Sequence, residues 1–140
     1  MEKVLVAIDN RSGAWGALAH ACSLAKRMRV ELNVLLIYPR AAGAETGRSD
    51  AHGESVRKRL ELQLARAQAE GITINYFMTE GPYVEEVIHF VNHHKIALLV
   101  HETGGKDARS AARKAVALRA LRHRLTCTME VVAPIKTTAE

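Results

Sequence analysis

Val4-Leu5-Val6-Ala7-Ile8-Asp9-Asn10-Arg11-Ser12-Gly13 is the stretch that decides how the chain is read. Its apolar run has no polar alternation, the pattern of a strand buried on both faces of a parallel sheet. The run stops at Asp9, passes through a polar turn and enters an alanine-rich segment of helical periodicity. In open parallel α/β sheets, ligands sit outside the carboxyl ends of the strands, where the strand order reverses. Asp9 and Ser12 are therefore the first candidates for function. The rest of the sequence must say what stands opposite that turn.

Size and composition narrow the classes. A chain of 140 residues suits one core, and residues 1–140 are expected to form a single domain. Apolar residues make up 48% and charged residues 25%, the balance of a soluble globular protein. No apolar run reaches the ~18 residues of a membrane span. The first strand starts at Lys3 or Val4 and leaves no room for a signal peptide, so a cytoplasmic location is expected. The two cysteines, Cys22 and Cys127, fit neither a disulfide framework nor a zinc cluster. Cys22 reads as a small core residue of a helix. The net charge of +5 favours acidic partners, but aromatic residues are only 4% and offer no base-stacking platform. Nucleic acid is accordingly not the expected partner, and neither it nor an anionic membrane leads as an occupant of the basic fourth helix.

Outward from the first strand, helical spacing of Trp15, Leu18, Cys22 and Ala25 predicts a helix over residues 13–28, with Ser12 as its N-cap. Residues 33–38 form a second buried strand ended by Pro39, and residues 40–53 read as a mobile loop. A second helix over 54–70 carries Val56, Leu60, Leu64 and Ala67 inward and stops at Gly71. Residues 72–79 alternate as an edge strand does. Pro82 suits the first turn of a third helix reaching His94, where Glu85 and Glu86 complement the helix dipole. Val84, Val87, Ile88 and Val91 are its inward residues, and Trp15 and Tyr83 are expected to face the sheet. Residues 96–100 form the fourth strand, and His101-Glu102-Thr103-Gly104-Gly105-Lys106 the turn after it. A fourth helix spans 108–124, a short strand spans 129–133 before Pro134, and the tail 135–140 frays.

Strands and helices alternate throughout, which implies an α/β fold: an open parallel five-stranded sheet with helices on both faces. With the strand order 3-2-1-4-5, the first and fourth strands are central neighbours and their turns meet at the switch point. Asp9 then stands near Gly104 and Gly105.

At this point the chain resembles the universal stress protein family over nearly its whole length. The resemblance rests on the Val4-to-Ser12 strand and turn with Asp9, the second strand ending near Tyr38, Gly81-Pro82 before the third helix and Ile88 within it. It continues with Ala97-Leu98-Leu99-Val100 and with Leu121-Arg122-His123 before a last apolar strand. It implies a Rossmann-like fold of the adenine nucleotide alpha hydrolase type. It also implies that Asp9 is the family's carboxylate near a nucleotide and that the backbone at Ile37 and Tyr38 would meet adenine. The family's ATP-binding branch carries Gly, two residues, Gly, nine residues, then Gly with Ser or Thr. Anchored on Leu121-Arg122-His123, that pattern falls on His101, Gly104, Lys114 and Ala115, and only Gly104 matches. Shifting to Gly105 restores nothing else. The side chains at the lost glycines and the missing hydroxyl argue against the usual ATP pose.

The candidate nucleotide or anion cleft therefore comprises Asp9, Ser12, Ile37, Tyr38, His101, Gly104, Gly105 and Lys114. Lys106, Arg109, Arg113, Lys114, Arg119, Arg122 and Arg124 face the single acid Asp107 in the same region, and read as a solvated basic helix face. His101 ends a central strand, where it titrates, contacts an anion or fills the space of the missing glycine. His89 and His93 are spaced i,i+4, but no third ligand accompanies them and no metal is expected; with His94 they read as exposed structural residues. No Gly-x-Ser-x-Gly elbow surrounds Ser12, and neither the Ser-Gly-Gly-x-Asp-Ser loop nor the His-x-Gly-His signature of related enzymes is present, so the chain is not expected to be an enzyme. The leading expectation is a non-catalytic stress-response module without a cofactor, homodimeric through the edge at residues 129–133 and joined to an unidentified regulatory partner protein. The alternative is a switch binding ATP or another phosphate ligand through Asp9, Gly104, Gly105 and Lys114.

Overall fold

The computed structural model describes residues 2–39, 51–105 and 107–134, with backbone only at 51–53. Five parallel strands form one sheet: β1 (Glu2–Asp9), β2 (Val30–Tyr38), β3 (Ile74–Glu80), β4 (Leu98–Glu102) and β5 (Thr128–Val132). Four helices connect them: α1 (Trp15–Arg27), α2 (Ala51–Ala69), α3 (Tyr83–His94) and α4 (Ala108–Arg124). The order across the sheet is β3-β2-β1-β4-β5, as the alternation of the sequence predicts. Val6 of β1 lies opposite Val34 of β2 on one side and Val100 of β4 on the other.

The continuous apolar runs are explained by burial on both faces. Val4, Val6 and Ile8 pack with Leu36 and Val100 against α1 and α2. Leu5 and Ala7 pack with Ile37 and Leu99 against Val87 and Val91 of α3 and Leu121 of α4. Successive residues of each central strand thus feed opposite cores. Asn33 is the polar exception inside β2. It is buried, and its side-chain oxygen accepts from Asn75 Nδ2 at 3.3 Å on the neighbouring strand.

Several boundaries differ from the sequence expectation. β4 runs to Glu102, so His101 and Glu102 are strand residues rather than the start of a turn. The ladder to β5 continues through His101–Val131 and Glu102–Val132, which overrides their polarity. Ile96 and Ala97 precede the strand: after left-handed Lys95 (φ 56°), the Ile96 N–H donates to Val91 O and turns the chain off α3. β2 begins at Val30 because Glu2 and Lys3 of β1 pair with Val30 and Glu31. β3 begins at Ile74, since Ile72 N donates back to Ala67 O in the exit from α2. β5 spans Thr128–Val132, one residue earlier than expected. Ser12 does not cap α1: the cap position is Ala14, which makes no side-chain cap bond. The Ser12 and Gly13 amides instead donate to Asp9 O in a tight turn, with Gly13 at φ 72°. Phe90 joins Val87 and Val91 as a buried residue of α3, whereas Val84 and Ile88 are partly buried. Cys22 and Trp15 also pack against the core only in part. α2 starts at Ala51; residues 40–50 of the expected loop, and the tail from 135, lie outside the described residues. No described helix is long and apolar enough to cross a membrane.

Candidate functional site

The cleft lies at the carboxyl ends of β1 and β4. A cavity of about 200 Å³ is lined there by Asp9, Ser12, Tyr83, His101, Glu102 and Lys114, among others. A second hollow of about 220 Å³ reaches Ile37, Pro39 and Gly81, and Asp9, Arg11 and Tyr83 line both. The topology thus brings Asp9, Ser12, His101 and Lys114 together and places Ile37 beside them. Tyr38, Gly104 and Gly105 line neither hollow.

Glu102 was not singled out by sequence reading, yet it organises this end of the sheet. Its side chain is 6% exposed. One carboxylate oxygen, Oε1, accepts the Ala17 N–H at 3.0 Å. The other, Oε2, accepts from Lys114 Nζ at 3.1 Å. Ala17 lies in the first turn of α1, a turn with neither an acidic residue nor a side-chain cap. Such a turn leaves backbone donors without intrahelical partners and carries partial positive charge. A carboxylate 85 residues away supplies the missing acceptor. The only sequence signal was an acid following an uninterrupted apolar strand at the switch point.

Lys114 is correspondingly committed. Its side chain is 13% exposed and held on Glu102. Its carbonyl lies 3.4 Å from His101 Nε2, which fits an imidazole with the proton on Nε2. His101 and Lys114 occupy two positions at which the ATP-binding pattern has glycine; here the His101 ring meets the Lys114 carbonyl and the Lys114 ammonium meets Glu102. Burial pushes the His101 pKa down, against the opposing pull of the Lys114 carbonyl, and favours the neutral ring. Tyr83 donates to Ala7 O at 3.4 Å, and burial, reinforced by Asp9 and Glu102, pushes its hydroxyl pKa up. Asp9 accepts the Arg11 N–H at 2.8 Å and meets Arg11 Nε at 3.5 Å.

The glycines have reasons of their own. Gly104 has φ 76°, and a Cβ there would lie 3.2 Å from Pro134. A Cβ on Gly105 would lie 2.7 Å from Ser110 Cβ, so the chain must be bare to pass α4. The start of α4 is capped by Asp107, whose carboxylate accepts the Ser110 N–H at 2.8 Å. That bond holds the Asp107 pKa below its ordinary value. Of the basic residues around α4, Arg113 and Lys114 line the cavity, Arg124 is paired with Glu85, and Lys106 lies outside the described residues.

The histidines of α3 divide. His89 and His93 are exposed, with rings stacked 5.9 Å apart. His94 is stacked 3.9 Å from Phe90 and contacts Phe77, so it belongs to the packing under the helix. Among the described residues, no group of three or more His, Cys, Asp or Glu is placed to hold a metal ion.

The profile of the universal stress protein family matches residues 1–132. No curated protein sequence matches the chain. Among solved structures, a universal stress protein in complex with cAMP is 18% identical, with a TM-score of 0.69 over 96% of this chain and 98% of its own. A protein of the family from Burkholderia pseudomallei is 23% identical, with a TM-score of 0.66 over 96% of each chain. Universal stress protein UspA from Lactobacillus plantarum is 17% identical, with a TM-score of 0.64 over 93% of this chain and 96% of its own. At these identities the likeness shows a common fold.

The buried imidazole gives a pH dependence. Below about pH 6.5, the ordinary histidine value, the unfolded chain binds a proton that folded His101 resists. Stability contributed by neutral His101 is therefore present above that pH and lost as the pH falls. Thermal melts from pH 7.5 to 5 should show an acid loss of Tm that is smaller in His101→Gln. The remainder is assigned to His94, whose pKa burial also lowers. An identical acid loss in both proteins would contradict this.

Proposed function

The chain belongs to the universal stress protein family, and from that premise we propose that it is a non-catalytic stress-response regulatory domain, one that does not bind ATP in the manner of the family's nucleotide-binding branch. The observation that carries this reading is the buried pair between Glu102 and Lys114. A polyphosphate in the cleft would have to draw Lys114 from Glu102 or lie beside an unpaired carboxylate. Breaking a buried pair costs about 3–5 kcal/mol. At 1.4 kcal/mol per decade, that is about two to three and a half decades of affinity, enough to turn a micromolar ligand into one of about 0.1 mM to a few millimolar. His101 at a lost glycine position and the Asp107 carboxylate at the start of α4 act in the same direction.

Catalysis would need a nucleophile facing a base. Ser12 lines the cleft with His101, but His101 Nε2 is turned to the Lys114 carbonyl and Asp9 to Arg11. The output of the module is then an interaction. β5 pairs with β4 on one side and is the last strand of the sheet, so a second copy would cover its other edge. The competing reading, a phosphate-ligand switch, draws on Asp9, on the two hollows that share Asp9, Arg11 and Tyr83, and on the similar structure solved with cAMP.

Mass spectrometry of denatured protein should find no stoichiometric nucleotide, and calorimetry with magnesium and ATP should give no micromolar dissociation constant. Either a copurified nucleotide or micromolar binding would transfer the assignment to the switch. Light scattering at micromolar concentration should give the mass of a dimer, and a monomer would contradict pairing through β5.

A further inference from the structure

We propose that Glu102 is the specificity determinant of the cleft, the residue that keeps phosphorylated ligands out. The inference rests on the reading above and adds the residue responsible and the ligand class it rejects. At the wall of the cavity, an ammonium and a buried helical N–H converge on one point, the Glu102 carboxylate. Backbone N–H and lysine donors are the groups that hold a phosphoryl oxygen in anion sites. Here both are satisfied by the chain itself. The carboxylate lies in the wall of the same cavity as Asp9, Arg11, Arg113 and Lys114. With both acids and all three bases ionised, these five groups carry one net positive charge. Neutralising Glu102 raises that to two and releases Lys114 into the cavity.

The fold explains why residue 102 has this control. Glu102 shares its sheet face with Val100, which packs in the core beneath α1 and α2, while His101 turns to α4. Extension of β4 to Glu102 carries the side chain past the end of that core to the open first turn of α1. An apolar residue there would leave the Ala17 N–H without its acceptor and free the Lys114 ammonium, whose residue lines the hollow. A carboxylate makes the chain its own anion. The same arrangement repels a second anion, because a phosphate approaching Lys114 meets the Glu102 charge within hydrogen-bonding range of it.

The test compares the natural chain with Glu102→Gln, which keeps the shape and an acceptor for Ala17 N–H but removes the charge. Inorganic pyrophosphate and magnesium–ATP are titrated into each at matched ionic strength. E102Q should bind pyrophosphate at least tenfold more tightly than the natural chain, and adding Lys114→Ala should remove the gain. Glu102→Ala is run beside it: the vacated volume can take a phosphoryl group, so pyrophosphate should raise its Tm but not that of the natural chain. That readout serves even if E102Q melts without cooperativity. No gain in binding by E102Q and no shift of Tm in E102A would overturn the role of Glu102 while leaving the proposed function intact. Micromolar binding of magnesium–ATP by the natural chain would overturn both.

Discussion

A carboxylate on β4 ties three elements together at the carboxyl edge of the sheet. Glu102 reaches the first turn of α1 with one oxygen and Lys114 of α4 with the other. Two charges removed from water in this way stabilise only where the remaining donors and acceptors are met, and here the helix amide completes the set. The pair fixes the approach of α4 to the sheet and gives α1 the acceptor that its own sequence lacks. It also contributes to the electrostatics of the hollow beside it, whose lining holds Asp9, Arg11 and Arg113 together with the pair.

Much of the remaining cleft is set by backbone requirements rather than by ligand chemistry. Gly13 and Gly104 take left-handed conformations in the turns after β1 and β4, and Gly105 is bare where the chain passes Ser110. Asp9 holds the first turn through its carbonyl and the Arg11 amide. A glycine or an aspartate at such a place serves the fold whether or not a ligand is bound. What distinguishes this cleft is the side chains that stand where the ATP-binding pattern has none. His101 and Lys114 bring a ring and a cation into the cavity lining, and each is matched by a group of the same chain.

The fold was legible because its signal is redundant. Uninterrupted apolar runs at Val4–Ile8, 34–38 and 96–100, with amphipathic helices between, admit a parallel sheet covered on both faces and little else. The boundary that mattered was not legible. His101 and Glu102 look like the start of a turn because they are polar, but the ladder to β5 carries the strand through them. The misplacement hid Glu102, since its partner amide lies on a helix 85 residues earlier and only the switch point brings the two together. Lys114 was found through its place in a pattern, whereas its partner had no pattern to belong to. Ser12 illustrates the converse: a good capping residue left unused because Gly13 closes the turn first and the helix starts two residues later. The Tyr38 side chain packs against the core under α1 and α2, whereas the resemblance concerns its backbone.

The central claim is that Glu102 and Lys114 form one energetically coupled unit, and a double-mutant cycle measures that directly. Urea unfolding of the natural chain, E102Q, Lys114→Met and the double variant gives the coupling free energy between the two side chains. A buried, hydrogen-bonded pair predicts a coupling of about 1–3 kcal/mol, with the double variant less destabilised than the sum of the single ones. A coupling near zero would mean that the two groups act independently, and the closed anion site described here would not exist.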